Sequence, residues 1–373
     1  MIERGSACNK VVCHIMSGDV WGGAEAQAYE LIGGLSDKVN IAAIVLNNGR
    51  LYEKLLELGI NVELIDESQL SIPTIFFRMF ITLKRSKPNI LHAHGYKENI
   101  LCGVAAKLLD IPVVRTHHGR GMLGVSNFYN IIERLNARYF TSKLISVSDD
   151  LKQYLIMNHL DELKITVIRN GIKCYVHQSR LPTLSRKDIG IDDDMFVVGT
   201  VSRLTAVKNQ RCMIDALELL SKTDKYICLL IVGDGALMEE LKSYAVDLSV
   251  NDKVYFVGFQ ENTEQYFHIM DVFTLSSLHE GVPISILEAM CAGKAVVSTR
   301  VGGIPEIISN YENGLLVDPN DCKGLAAAWL KLKDDCELVN MIANRASDDV
   351  RSIYSLSNTL NRMHALYEEV GQK

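Results

Sequence analysis

The sequence predicts an α/β protein of two Rossmann-like domains in tandem, each a parallel sheet wrapped by helices, facing a central cleft. Three observations predict this. Short β-rich runs alternate with helical patterns along all 373 residues. The runs are near-continuous in apolar residues, as parallel strands buried on both faces should be. The series restarts after residue 190, and a chain of this length exceeds one ordinary core.

Taken in order, the first series is "KVVCHIM", "NIAAIVL", "NVELI", "NILHAH", "PVVRTHH", "KLISVS" and "KITVIRNGI". Amphipathic stretches such as "AEAQAYELIGGL" and "RLYEKLLELG" separate the early members, which argues βαβ units. The second series is "FVVGTVSRL", "YICLLIVGDG", "KVYFVGF", "DVFTLSS", "AVVST" and "GLLVD". Between them "KCYVHQSRLPTLSRKDIGIDDD" is polar, holds a proline and has no clear period, so it reads as a linker and the start of the second domain. The expected domains are 1–170 and 171–354. The closing segment "SLSNTLNRMHALYEEV" is a helix with Leu360, Met363 and Leu366 on one face, and helix 355–373 is expected to pack back on the first domain.

Composition narrows the function classes. Hydrophobic residues at 48% and charged residues at 23% mark a soluble globular chain. Residues 1–150 hold 16 basic and 15 acidic side chains, and residues 151–373 hold 23 and 30, so neither half has the excess that duplex DNA binding requires. The N-terminal apolar stretch is short and broken by His14, which reads as neither signal peptide nor anchor. Nine scattered cysteines without a C-x-x-C pair read as reduced thiols of a cytosolic protein, neither disulfide frame nor zinc site.

Four stretches carry candidate chemistry. "SGDVWGGAEAQAYELI" puts Gly22 and Gly23 at the start of the first helix, where backbone can approach a ligand and free N–H groups face an anion. It lacks the dinucleotide fingerprint G-x-G-x-x-G, and a plain strand-to-helix turn explains it equally well. "GTVSRLTAVKNQ" places Arg203 and Lys208 after a strand, suited to a pyrophosphate. On spacing alone, a solvated basic loop is the simpler reading. "IVGDG" offers Gly233 and Gly235 for close backbone contact, a common turn in such folds.

The fourth is "HEGVPISILEAM". Pro283 fits the first turn of a helix that runs to a Gly293 cap. Glu280 then precedes the helix, Glu288 lies more than a turn inside it, and the N–H groups near Val282, Ile284 and Ser285 offer an anion site. A glycosidase pair would face one bond at about 5–10 Å. Here one carboxylate flanks the anion site and the other is set back, which favours two hydroxyl clamps. "DDD" at Asp192 to Asp194 precedes a strand, unlike a metal-binding D-x-D, and reads as a solvated turn.

With these stretches in place the chain resembles the retaining nucleotide-sugar glycosyltransferases of family four, which have the GT-B fold. The resemblance rests on "WGGAEAQ", "NILHAHG", "VVRTHHG", "GTVSRLTAVKNQ", "IVGDG", "EGVPISILEAMCAGKAVVSTRVGGIPEII" and "NGLLVDP", in that order over nearly the whole chain. It implies that Arg203 and Lys208 grip the donor diphosphate, Glu288 the ribose hydroxyls, and Glu280 with amides near Val282 and Ile284 the transferred sugar. Gly22 and Gly23 would close on the phosphates. The family's active-site histidine matches His118; His117 ranks second, His94 is a cleft residue and His92 packs within the sheet. The donor would be a UDP- or GDP-sugar, with no metal required, because positive groups rather than a carboxylate assist a departing nucleoside diphosphate.

The resemblance implies a saccharide or lipid-linked acceptor and a role in cell-surface polysaccharide or glycolipid synthesis. The expected location is the cytoplasm, peripherally on the inner face of the plasma membrane. "SIPTIFFRMFITLKRSKP" has four basic residues (Arg78, Lys84, Arg85, Lys87) and no acidic ones. It could lie on an anionic membrane, although ordinary core is the simpler reading. "GRGMLGVSNFYN" reads as an acceptor loop. A nucleotide-sugar 2-epimerase and a non-catalytic nucleotide-sugar-binding subunit are the rival readings; a dehydrogenase fails for want of the fingerprint.

Overall fold

The computed structural model describes residues 8–19, 21–121, 123, 126–174 and 184–372. The middle of the expected linker and part of the expected acceptor loop lie outside them. The chain divides into two compact units, Met1–Gly171 with Leu356–Lys373, and Ile172–Ser355.

In the first unit the strands are β1 (Cys8–Met16), β2 (Val39–Val45), β3 (Asn61–Leu64), β4 (Ile90–Ala93), β5 (Val113–His117), β6 (Lys143–Ser146) and β7 (Ile165–Val167). They form one parallel sheet in the order β3-β2-β1-β4-β5-β6-β7. The helices are α1 (Gly23–Leu35), α2 (Arg50–Glu57), α3 (Ile72–Ser86), α4 (Tyr96–Leu109), α5 (Asn127–Tyr139) and α6 (Asp149–Met157). Strand parity divides the core in two. Cys13, Ile15, Leu91 and Val113 pack with Ile75, Met79 and Leu83 of α3 and Cys102 and Ala105 of α4. Val12, Ile90 and Val114 on the opposite face pack with Leu31 and Leu35 of α1 and with Met363, Leu366 and Tyr367 near the end of the chain.

The second unit repeats the plan. Its strands β8 (Phe196–Val201), β9 (Ile227–Val232), β10 (Val254–Gly258), β11 (Val272–Leu275), β12 (Ala295–Thr299) and β13 (Leu315–Val317) run in the order β10-β9-β8-β11-β12-β13. Around them lie α7 (Gln210–Ser221), α8 (Met238–Asp247), α9 (Glu264–Ile269), α10 (Ile284–Cys291), α11 (Ile304–Ile307), α12 (Cys322–Asp334) and α13 (Cys336–Ile353). Trp329 of α12 is fully buried and donates its Nε1–H to Thr274 Oγ1 at 2.9 Å. The last helix, α14 (Leu356–Val370), belongs to the first unit and covers its sheet beside α1.

Every run singled out in the sequence contains a strand; the central ones, such as β4, β9, β11 and β12, are buried along their whole length, whereas the edge strands β3, β7, β10 and β13 are only partly covered. In each sheet the order reverses once, between β1 and β4 and between β8 and β11. Ligands of open α/β sheets bind at the carboxyl ends of strands at such switch points.

The cysteine expectation is overturned in the second unit. Cys174 pairs with Cys291 and Cys212 with Cys322 as disulfides, with Cα separations of 5.7 and 5.2 Å. The partners lie 117 and 110 residues apart, so no local spacing reveals them. The scatter of cysteines therefore gives no argument for reduced thiols or for a reducing compartment. Asp192 to Asp194 form an exposed turn before β8, with Asp193 held by Lys187 at 2.6 Å.

Candidate active site

At the β8/β11 switch point the loops after the two strands are built against each other. Ser276 Oγ donates to the carbonyls of Lys208 and Asn209 at 3.0 and 2.8 Å, and Leu278 N donates to Val207 O at 2.8 Å. This fixes the 3-10 turn Ala206–Lys208 beside the loop that carries Glu280. Lys208 Nζ then forms an ion pair with Glu280, whose Oε1 also accepts from Ser277 Oγ at 2.6 Å. The side chains of Lys208 and Glu280 are only 17% and 11% exposed, so the charges are mutually neutralised away from most solvent. Thr299 Oγ1 holds the Ser277 carbonyl at 2.5 Å.

Arg203 is different. Its side chain is exposed and makes no ion pair among the described residues, while Gln210 Nε2 anchors its carbonyl at 2.8 Å. It is an exposed cation on a loop whose backbone is anchored. Gly302 and Gly233, both with positive φ, are required by packing within this cluster. A Cβ on Gly302 would collide with the Glu280 carbonyl, and one on Gly233 with the Ser202 carbonyl. Gly233 and Gly235 thus admit the β8 loop, which the sequence alone gives no means to foresee.

Pro283 is the N-cap of α10 rather than a residue of its first turn, with φ −72° and ψ 117°. The N–H groups of Ile284 and Ser285 head the helix, where helix geometry leaves them without intrahelical acceptors. Val282 is buried before them, and Glu288 sits half-buried in the second turn. Gly293, with φ 69°, ends the helix as expected.

In the first unit, Gly22 caps α1 and its N–H donates to Glu25 Oε2 at 3.1 Å. Glu25 stands at the third helical position and makes half of a capping box, since the glycine cap has no side chain to return the bond; the Gly22 N–H, expected to be free for an anion, is thereby occupied. Gly23 is exposed. His118 follows β5 and is half-buried, and burial lowers its pKa to about 4, so it is a neutral imidazole at physiological pH. Its Nε2 lies 3.4 Å from His94 Nδ1. His117 faces the other side, 3.5 Å from Glu133, which also pairs with the buried Arg115. His92 is fully buried in the sheet.

Each of the two units matches a family of known proteins. Residues 183–349 match the family described as Glycosyl transferases group 1, and residues 21–174 match Glycosyltransferase Family 4. The chain belongs to the group 1 glycosyltransferases. It is 28% identical over 301 residues to UDP-Gal:alpha-D-GlcNAc-diphosphoundecaprenol alpha-1,3-galactosyltransferase of Escherichia coli, covering 78% of this chain and 77% of that one. It is 27% identical over 304 residues to N-acetyl-alpha-D-glucosaminyl L-malate synthase of Bacillus anthracis, covering 79% and 78%. In fold it is similar to HepE of Anabaena, solved in complex with UDP-glucose, with a TM-score of 0.87 at 22% identity over 96% of this chain and 99% of that one. The GT-B glycosyltransferase fold follows.

Proposed function

We propose that this glycosyltransferase is a retaining enzyme that takes a UDP- or GDP-sugar and passes the sugar to a saccharide or lipid-linked acceptor in cell-surface polysaccharide or glycolipid synthesis. The observation that carries this reading is the cluster at the β8/β11 switch point: Arg203, the Lys208–Glu280–Ser277 contact and the head of α10. Arg203 and Lys208 take the diphosphate, with the Ile284 and Ser285 amides as further donors, and no metal is needed to balance its charge. Glu280 hydrogen-bonds the transferred sugar, and Glu288 the ribose.

The leaving phosphate oxygen assists the acceptor on the same face of the sugar, which preserves the anomeric configuration without a covalent intermediate. His118 donates a hydrogen bond to a sugar hydroxyl. Gly23 approaches the phosphates, and Gly22 contributes once Glu25 releases its N–H. By its name the Escherichia coli relative transfers from UDP-Gal to a diphosphoundecaprenol-linked sugar, which supports a nucleotide-sugar donor and a lipid-linked acceptor.

Contact with an anionic membrane is part of the same reading. Helix α3 buries Ile75, Met79 and Leu83 but exposes Ile72, Phe77 and Ile81 among Arg78, Lys84 and Lys87. Among the described residues no helix is long and apolar enough to cross a membrane.

Incubation with UDP-, GDP- and ADP-sugars, with and without EDTA, tests the reading. One donor should stabilise and be turned over in both conditions. Release of a C2-epimerised product without acceptor would establish the epimerase instead, and binding with no turnover under any acceptor would leave a binding subunit. Flotation with phosphatidylglycerol vesicles should carry the wild type but not Phe77→Asp; equal flotation of both would remove α3 from the account.

A further inference from the structure

His118 is the end of a longer array. Strand parity places His14 of β1, His92 of β4 with His94 just beyond it, Thr116 of β5 and His118 on the sheet face covered by α14. The rings stack, with centroids 4.2 Å apart for His92 and His94, 5.2 Å for His14 and His94, and 5.7 Å for His94 and His118. Their nitrogens are joined in sequence. Beyond the 3.4 Å link from His118 Nε2 to His94 Nδ1, His94 Nε2 lies 2.9 Å from His14 Nδ1. His14 Nε2 lies 3.5 Å from the Tyr367 hydroxyl, which lies 2.6 Å from His92 Nδ1. His92 Nε2 ends the series 2.7 Å from Thr116 Oγ1.

We propose that this series is a positioning chain that holds His118 as the Nε2–H tautomer, closed through the Tyr367 hydroxyl supplied by the C-terminal helix. It rests on the role given to His118 above. Burial keeps the imidazoles neutral, and a neutral ring carries one N–H. Because every ring gives Nδ1 to one neighbour and Nε2 to the next, and the buried Tyr367 O–H must itself donate to one of its two neighbours, only two proton arrangements satisfy every link and leave that O–H an acceptor.

In the first, His118 Nε2–H donates to His94, His94 Nε2–H to His14, His14 Nε2–H to Tyr367, Tyr367 O–H to His92 and His92 Nε2–H to Thr116. In the second, every proton sits at the other end of its link. His118 Nδ1 is buried without a partner among the described residues. The second arrangement would leave an orphaned N–H there, whereas the first leaves only a lone pair, which costs less. The first also frees the Thr116 hydroxyl proton. Thr116 lines a cavity of ≈ 10 Å³, room for one water, together with Gln27, whose amide nitrogen and oxygen both lack partners among the described residues.

His14, His92 and His94 also bring nitrogens within 4.8 Å of one another, a spacing that could admit a metal ion. All six ring nitrogens of that trio already have partners in the series, which favours the proton chain. The His118 N–H is thus presented by Nε2. Its resting acceptor is His94, over a link long enough at 3.4 Å to be surrendered to a sugar hydroxyl.

The test is long-range proton–nitrogen correlation NMR on the protein labelled with nitrogen-15 histidine, without substrate. All four histidines should be Nε2–H. Tyr367→Phe removes only the hydroxyl, and His94→Phe keeps the stacked ring; either should turn His118 into a mixture of tautomers. In both, kcat should fall about threefold to tenfold, the worth of one net hydrogen bond, with the donor KM unchanged. An Nδ1–H His118 in the wild type, or a His118 tautomer unaltered in both variants, would overturn the chain. So would stoichiometric zinc, nickel or copper in the purified protein that is lost in His92→Gln. Full transfer by His118→Ala would instead remove its catalytic role and leave the tautomer result standing.

Discussion

Glu280→Gln separates sugar binding from nucleotide binding. In the structure Glu280 accepts from Lys208 and from Ser277 at once, and both bonds end on a carboxylate. Glutamine keeps an acceptor oxygen in the same place but removes its charge, so the Ser277 bond becomes neutral and the Lys208 ion pair becomes a bond from a cation to a neutral amide, each weaker by about 1 kcal/mol, or about 2 kcal/mol in all. For a folding unit of this size that is a Tm loss of roughly 4–8 °C. Lys208 loses its carboxylate and stays available to a diphosphate, so UDP or GDP affinity by calorimetry should hold within about threefold or tighten. Transfer should suffer far more. Losing one hydrogen bond that strengthens in the transition state costs about 10²–10³ in kcat. Nucleotide affinity reduced tenfold with transfer retained would refute the assignment and move Glu280 to the nucleotide.

Glu288→Ala should weaken nucleotide binding by about tenfold or more, and 2′-deoxynucleotide should then bind as well as the ribonucleotide. Equal affinity in wild type and variant would exclude the ribose role. Arg203→Ala should weaken a nucleoside diphosphate by about tenfold but the nucleoside hardly at all, and Arg203→Lys should restore only part of it. An equal loss for both ligands, by calorimetry, would mean that Arg203 contacts the base or ribose. Burial lowers the pKa of His14 to about 3 and of His118 to about 4, and lowers His92 and His94 well below 6.5. Below pH 6.5 the unfolded chain then binds more protons than the folded one, so stability is full above that pH and falls toward pH 4. The loss at pH 5.5 is on the order of 1 kcal/mol for each of His14 and His118, and His92 and His94 act in the same direction. Urea unfolding should show a steeper acid loss in wild type than in His14→Gln, and parallel curves would contradict it.

The strands and their order along the chain were legible because parallel strands buried on both faces must be apolar throughout. The head of α10 was legible from Pro283 and Gly293, although Pro283 proved to be the cap itself. The pairing of Lys208 with Glu280 was not, since 72 residues separate them and only the Ser276 contacts bring their loops together. Glu25 three residues beyond Gly22 supplies the glutamate half of a capping box, yet two glycines at the start of a helix draw attention to a ligand first. His14 looked like an interruption of an apolar run. Its meaning lies in alternation: His14, His92, His94, Thr116 and His118 share one face only once β1, β4 and β5 are adjacent. The disulfide partners depend likewise on tertiary proximity alone.

The central claim is retaining transfer from a nucleotide sugar. Proton NMR of the first product formed from an α-linked UDP- or GDP-sugar, read before any anomerisation, tests it most directly. The account predicts an α-linked product with a small anomeric coupling for a gluco or galacto sugar. A β-linked product from the same donor would contradict it.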